Sequence, residues 1–174
     1  MKKILLFVFV LATILAFTSC GGDDDPNRPT SVTATKEFVI DFMIGANQPT
    51  SASITMNLSD FSELKDYVKY VNKGTINVAT STITITGITA GGYELKDAKL
   101  VTQDVKTNGT LDFKTLTADK TFTTPDDINY LQATINKMVA SDRATAIFSI
   151  SSANKDISRT VKVKIKMNVV FSLD

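Results

Sequence analysis

The feature that most constrains the fold is a strict two-residue alternation over 159–173. Val161, Val163, Ile165, Met167, Val169, Phe171 and Leu173 share one parity, while Thr160, Lys162, Lys164, Lys166, Asn168, Val170 and Ser172 share the other. A period of two sorts these sets onto opposite faces of an extended strand; a helix would mix them. Unbroken, the strand spans roughly 45 Å, so it either bends or serves two partners.

The same period recurs in shorter pieces. Phe38, Ile40, Phe42 and Ile44 alternate within 36–44, and Ala52, Ile54, Met56 and Leu58 within 52–58, with Asn47 and Pro49 in the turn between them. Two short strands at 75–79 and 82–88 carry Ile76, Val78, Ile83 and Ile85 before Gly91-Gly92. Over 93–105 the parity slips between Leu95 and Ala98, which predicts a bulge near Lys96-Asp97. Asn108-Gly109 predicts a tight two-residue hairpin into a strand at 110–117, with a further irregularity at Leu116. A strand over 144–151 precedes the long final one.

Two segments change period. Phe61, Leu64, Val68 and Val71 predict a helix over 60–73, started by Asp60 with Glu63 and stopped by Gly74. Thr124-Pro125-Asp126-Asp127 combines a cap, a proline at the first helical position and acids at the positive helix end. The helix it opens carries Ile128, Leu131, Ile135, Met138 and Val139 as its apolar stripe. The expected fold is mainly β: an antiparallel β-sandwich of about eight strands with two amphipathic helices closing an edge or end. Strand pair, helix and strand pair occur in each half, which leaves an internal duplication open.

The first twenty-five residues have another character. Met1-Lys2-Lys3 is cationic, Ile4 to Phe17 is apolar except for Thr13, and Thr18-Ser19-Cys20 closes the run. That is the layout of a bacterial export signal. Fourteen helical residues rise about 21 Å against a hydrocarbon core of roughly 30 Å, too short for a comfortable spanning helix. Phe17-Thr18-Ser19-Cys20 resembles a lipobox, with Phe17 replacing the usual Leu, and Gly21-Gly22-Asp23-Asp24-Asp25 resembles the acidic surface-export run of Bacteroidota-type lipoproteins. The resemblance implies removal of residues 1–19, acylation of Cys20, a membrane partner through that anchor, and an outer-membrane, cell-surface location. An incidental thiol at Cys20 is the alternative. Asp23, Asp24 and Asp25 lack the alternating spacing of a calcium loop and read as a solvated spacer. Residues 20–32 then form a flexible tether, and 33–174 a single β-rich domain.

Composition narrows the function. The chain has no histidine, no tryptophan and one cysteine, which removes the usual neutral-pH base, every histidine triad and the usual zinc sets. Nineteen basic residues, two of them Lys2 and Lys3, against eighteen acidic ones leave the domain near neutrality, so nucleic acid is not an expected partner. No catalytic residue, metal or cofactor is expected, and the leading expectation is a non-catalytic binding or assembly module with a protein or glycan partner. The alternatives are a hydrolase built on aspartates, with or without a divalent cation, and a small lipid- or glycan-binding carrier.

Three tyrosines mark the expected contact surface. Tyr70 and Tyr130 lie off their helices' apolar stripes and Tyr67 at a stripe border, offering ring area and hydroxyls; otherwise such side chains merely cover the rim of a core. The row Lys162, Lys164 and Lys166 reads as a solubilising face, with an anionic glycan or headgroup as the alternative. Asp126 and Asp127 are explained by the helix start.

Overall fold

The computed structural model describes residues 28–45, 50–154 and 159–174. Among them lie ten strands: β1 (Ser31–Ile44), β2 (Ser51–Asn57), β3 (Val71–Ile76), β4 (Thr82–Thr86), β5 (Leu95–Thr102), β6 (Thr110–Leu116), β7 (Lys120–Phe122), β8 (Arg143–Ser149), β9 (Ser152–Ala153) and β10 (Arg159–Leu173). Two helices accompany them, the single turn α1 (Ile88–Gly91) and the long α2 (Pro125–Ser141). All strand pairs are antiparallel, and the strands form two five-stranded sheets. The fold is a β-sandwich.

β10 is the central strand of the first sheet, whose order is β1-β10-β4-β7. Along one side it pairs with the whole of β1, from Ser31 opposite Ser172 to Ile44 opposite Arg159. On its other side Lys162–Lys166 pair with β4, and Val169–Leu173 with β3. The strand thus serves two partners end to end. β1 begins at Ser31, inside the expected tether, because Ser31 and Val32 find ladder partners in Ser172 and Phe171. The second sheet has the order β2-β8-β5-β6, with β9 against β5.

The inner faces meet ring on ring. Phe42 of the first sheet lies 5.2 Å from Phe148 of the second, nearly perpendicular, and both are buried. Phe61 packs between Phe38 of β1 at 5.9 Å and Phe171 of β10 at 5.2 Å and is itself buried. Edge-to-face geometry aligns ring edges with ring faces of opposite partial charge.

The expected helix over 60–73 is absent. Its place is taken by 3-10 turns at Leu58–Asp60, Ser62–Leu64 and Val68–Tyr70, after which Val71 enters β3. The capping box closes one step earlier, with Asn57 N donating to Asp60 Oδ2 at 2.6 Å. Glu63 instead accepts from Thr35 N of β1 at 3.2 Å. The segment is rich in aromatic and β-branched residues that favour helix weakly. Burying Phe61 and Leu64 needs only the local three-residue spacing that such turns supply. Gly74, the expected helix stop, sits inside β3, and the helix-based symmetry between the two halves goes with it.

The slip in β5 is a bulge as expected: pairing jumps from Leu95–Leu116 to Ala98–Lys114, with Asp97 at φ 50° and Lys114 at φ 55°. The Asn108-Gly109 hairpin is not tight. The last ladder contact joins Thr102 N to Gly109 O at 2.8 Å, and the intervening loop turns at Asp104 and Asn108, both with positive φ. The chain runs past the strand end because Gln103 N still bonds Thr145 O at 2.9 Å.

α2 is wedged between the sheets. Its amide Gln132 serves as a strand partner for the free side of β3: Oε1 accepts from Ile76 N at 2.9 Å and Nε2 donates to Gly74 O at 2.8 Å. A helix side chain thereby covers a sheet edge that would otherwise face water unpaired.

Candidate functional site

The two sheets end side by side at β6 and β7, the outermost strands of the second and first sheet respectively. Residues 117–119 carry the chain across from one to the other. Asp119 secures this crossing: its Oδ1 accepts from Ile88 N at 2.7 Å and Thr89 N at 2.9 Å, and Thr89 Oγ1 accepts from Asp119 N at 2.8 Å. Donation from the Thr89 backbone N–H is the main cause holding the Asp119 carboxyl below its ordinary pKa.

Phe113 of β6 shares the inward parity of Leu111, and Phe122 of β7 stands opposite the buried Ile83 of β4 on the inner face of the other sheet, so their rings meet across the gap at 4.6 Å, tilted 45°. Phe122 is 8% exposed, whereas Phe113 is half-buried. The Lys120 ammonium stands 5.1 Å from the Phe122 ring centre. Outside this ring pair lies an open cleft of about 470 Å³, floored by Phe113 and Phe122 and rimmed by Asn108, Asp112, Lys120 and Asp126.

Not every carboxylate there is free. Asp127 is buried and closes the α2 capping box, its Oδ2 accepting from Thr124 N and Thr124 Oγ1, both at 2.6 Å. Asp112 Oδ1 accepts from Lys114 N at 2.9 Å, stabilising the bulge. The exposed Asp126 in the first turn of α2 has no such structural duty. Among the described residues no group of three or more His, Cys, Asp or Glu side chains is placed to hold a metal ion.

The tyrosine surface does not assemble. Tyr67 and Tyr70 lie together in the turns ahead of β3, half-buried, with the Arg28 guanidinium 4.0 Å and the Lys69 ammonium 4.7 Å from the Tyr70 ring centre. Lys69, chiefly through its hydrogen bond, lowers the Tyr70 pKa. Tyr130 is a correction: it is fully buried on the face of α2 that meets β5. Because α2 touches both sheets, its buried face extends beyond one stripe to Asp127, Tyr130 and Thr134. Thr134 donates to the Tyr130 carbonyl at 2.9 Å, so the Thr102 hydroxyl, 2.7 Å away, must donate to Thr134 Oγ1. The Tyr130 hydroxyl closes no hydrogen bond, although the Thr102 and Thr134 hydroxyls lie near enough to oppose the shift; burial dominates and pushes its pKa up to about 12.

Cys20, Asp23, Asp24 and Asp25 lie outside the described residues. Lys162, Lys164 and Lys166 do form a row, but on a central strand, so they dress a sheet face and guard no edge. Asp41 approaches Lys162 and Glu37 approaches Lys164, each at 3.7 Å, exposed pairs of small energetic weight. Sequence reasoning missed the cleft, because Phe113 falls within the expected 110–117 strand and Phe122 within no expected element; the available signal was an aromatic on each side of the short 117–119 link.

No family model matches the chain, and no curated protein matches it. Among solved structures it is similar to a chain of turnip yellow mosaic virus, with 10% identity, a TM-score of 0.44, and 94% of this chain and 88% of that chain covered. An empty head of the same virus gives 10% identity and a TM-score of 0.41, covering 99% and 90%. Desmodium yellow mottle tymovirus gives 14% identity and a TM-score of 0.32, covering 99% and 95%.

Proposed function

We propose that this chain is a lipoprotein anchored through Cys20 and displayed on the outer membrane, where its β-sandwich is a non-catalytic binding or assembly module. The observation that carries the reading is the run from Met1 to Asp25: cationic start, apolar stretch, small residues before a lone cysteine, and three aspartates behind it. Two or three acyl chains on one cysteine hold a protein where a single chain holds it only marginally. The contact of Arg28 with Tyr70 supports a short leash, since the eight peptide links from Cys20 to Arg28 reach at most about 28 Å. Binding without catalysis is supported by the absence of histidine from the sequence and by the structural duties of Asp112 and Asp127.

The test is mass spectrometry of the protein extracted from membranes, joined to protease shaving of whole cells. An acylated amino-terminal Cys20, and a domain cleaved without permeabilising the outer membrane, are expected. An unmodified thiol or another amino terminus would overturn the anchor, and protection until permeabilisation would overturn surface display.

A further inference from the structure

We infer that the cleft between β6, β7 and the start of α2 is a site for a neutral saccharide, which deepens the binding-module reading by naming its ligand class. A pyranose offers an apolar face of C–H bonds and an edge of hydroxyls. The cleft offers the complement. Phe113 presents ring surface on its floor, held in place by Phe122 at 4.6 Å. Phe122 is itself covered, so the accessible aromatic face belongs to Phe113.

The rim supplies both kinds of hydrogen-bonding group. Asp112 keeps Oδ2 after spending Oδ1 on Lys114 N, and Asp126 keeps its whole carboxylate. These accept from hydroxyls, while the Lys120 ammonium and the Asn108 amide donate to them. The volume of about 470 Å³ lies within the usual small-ligand range of about 300–1,000 Å³.

Charge selects among ligands. Carboxylates outnumber the single lysine on the rim, so a phosphorylated or acidic glycan would meet net repulsion. A cationic ligand would be drawn to Asp112 and Asp126 but would meet the Lys120 ammonium on the same rim. A neutral, hydroxyl-rich ligand avoids both conflicts. The walls are rigid, because β6 is paired with β5 and β7 with β4, so little ordering is needed on binding.

The experiment is an amide chemical-shift titration of the labelled full chain in detergent with maltohexaose, cellohexaose, xylohexaose, mannohexaose and chitohexaose. Sialyllactose and spermine serve as anionic and cationic controls. At least one neutral oligosaccharide is expected to shift Asp112, Phe113, Lys120 and Asp126 with a Kd on the order of 1 mM or tighter. Phe113→Ala should weaken it about tenfold, the loss of one stacking contact. Asp126→Ala alters an exposed side chain and keeps the test informative if Phe113→Ala fails to fold; it should weaken binding about fivefold. No shift at those residues with any of the five sugars, shifts with a control alone, or affinities unchanged in both variants would overturn the inference. A response to spermine alone would reject the sugar while sparing the binding module, and loss of the lipid anchor would leave the titration unaffected.

Discussion

The Ser81 hydroxyl takes the place of a strand residue opposite Asn168. It accepts from Asn168 N at 2.9 Å and donates to Asn168 O at 3.2 Å, while Asn77 N reaches the same carbonyl at 2.8 Å. β3 and β4 run in one direction along β10, and the chain bulges away between them at 77–81. One fully buried side chain closes the ladder across that gap. Replacing Ser81 by Ala strands the Asn168 N–H, and an unmet buried donor costs about 1–3 kcal/mol. Urea unfolding should show Ser81→Ala less stable by about that amount and Thr80→Ala within about 0.5 kcal/mol of the parent.

Gly74 faces Phe171 across the β3–β10 ladder, and a Cβ there would collide with Ile135 Cγ2. The missing side chain lets α2 come close enough for Gln132 to bond both Gly74 O and Ile76 N. Gly74→Ala should therefore destabilise by about 1–3 kcal/mol. Amide exchange should speed up at Ile76 before it does in the β1–β10 pair, and an unchanged rate there would contradict this account.

Tyr130 is buried with an unpartnered hydroxyl, so Tyr130→Phe removes a desolvated group and no hydrogen bond. Stability should be unchanged or raised by about 1 kcal/mol. The pH dependence has a definite sign. The folded pKa of about 12 exceeds the ordinary value of 10.0, so above pH 10 the unfolded chain loses a proton that the folded chain keeps. The parent should lose on the order of 2 kcal/mol more than Tyr130→Phe between pH 10 and 12. Parallel stability curves for the two proteins would show the hydroxyl to be solvated.

Asp119 works in the opposite direction. Its folded pKa is depressed, chiefly by the Thr89 backbone N–H, so its contribution is present above the ordinary value of 3.8 and is lost as pH falls through the folded value. Asp119→Ala at neutral pH should cost about 1 kcal/mol, a modest figure because the carboxylate is exposed. The stability difference between parent and variant should shrink below pH 4, measured by thermal unfolding across the acid range. The same substitution should loosen the crossing from β6 to β7 and lower saccharide affinity at the cleft.

What could be read from residues alone was whatever depends on local period and local caps. The alternation over 161–173 defines a strand with one apolar face because side-chain direction in extended backbone depends only on parity. Thr124-Pro125 with Asp127 defines the start of α2 because the cap bonds close within four residues. The slip between Leu95 and Ala98 likewise announced its bulge.

Partners across the fold required the tertiary structure. β10 is central, with β3 and β4 end to end on one side, because pairing is decided by residues more than seventy positions apart. Phe61 and Leu64 have helical spacing, yet three-residue turns satisfy it once Phe38 and Phe171 are there to receive the ring. Tyr130 turns inward because α2 has a sheet on each side and buries more than its apolar stripe. The cleft exists only where the edge strands of two separate sheets bring Phe113 and Phe122 together; neither strand's own alternation contains that meeting.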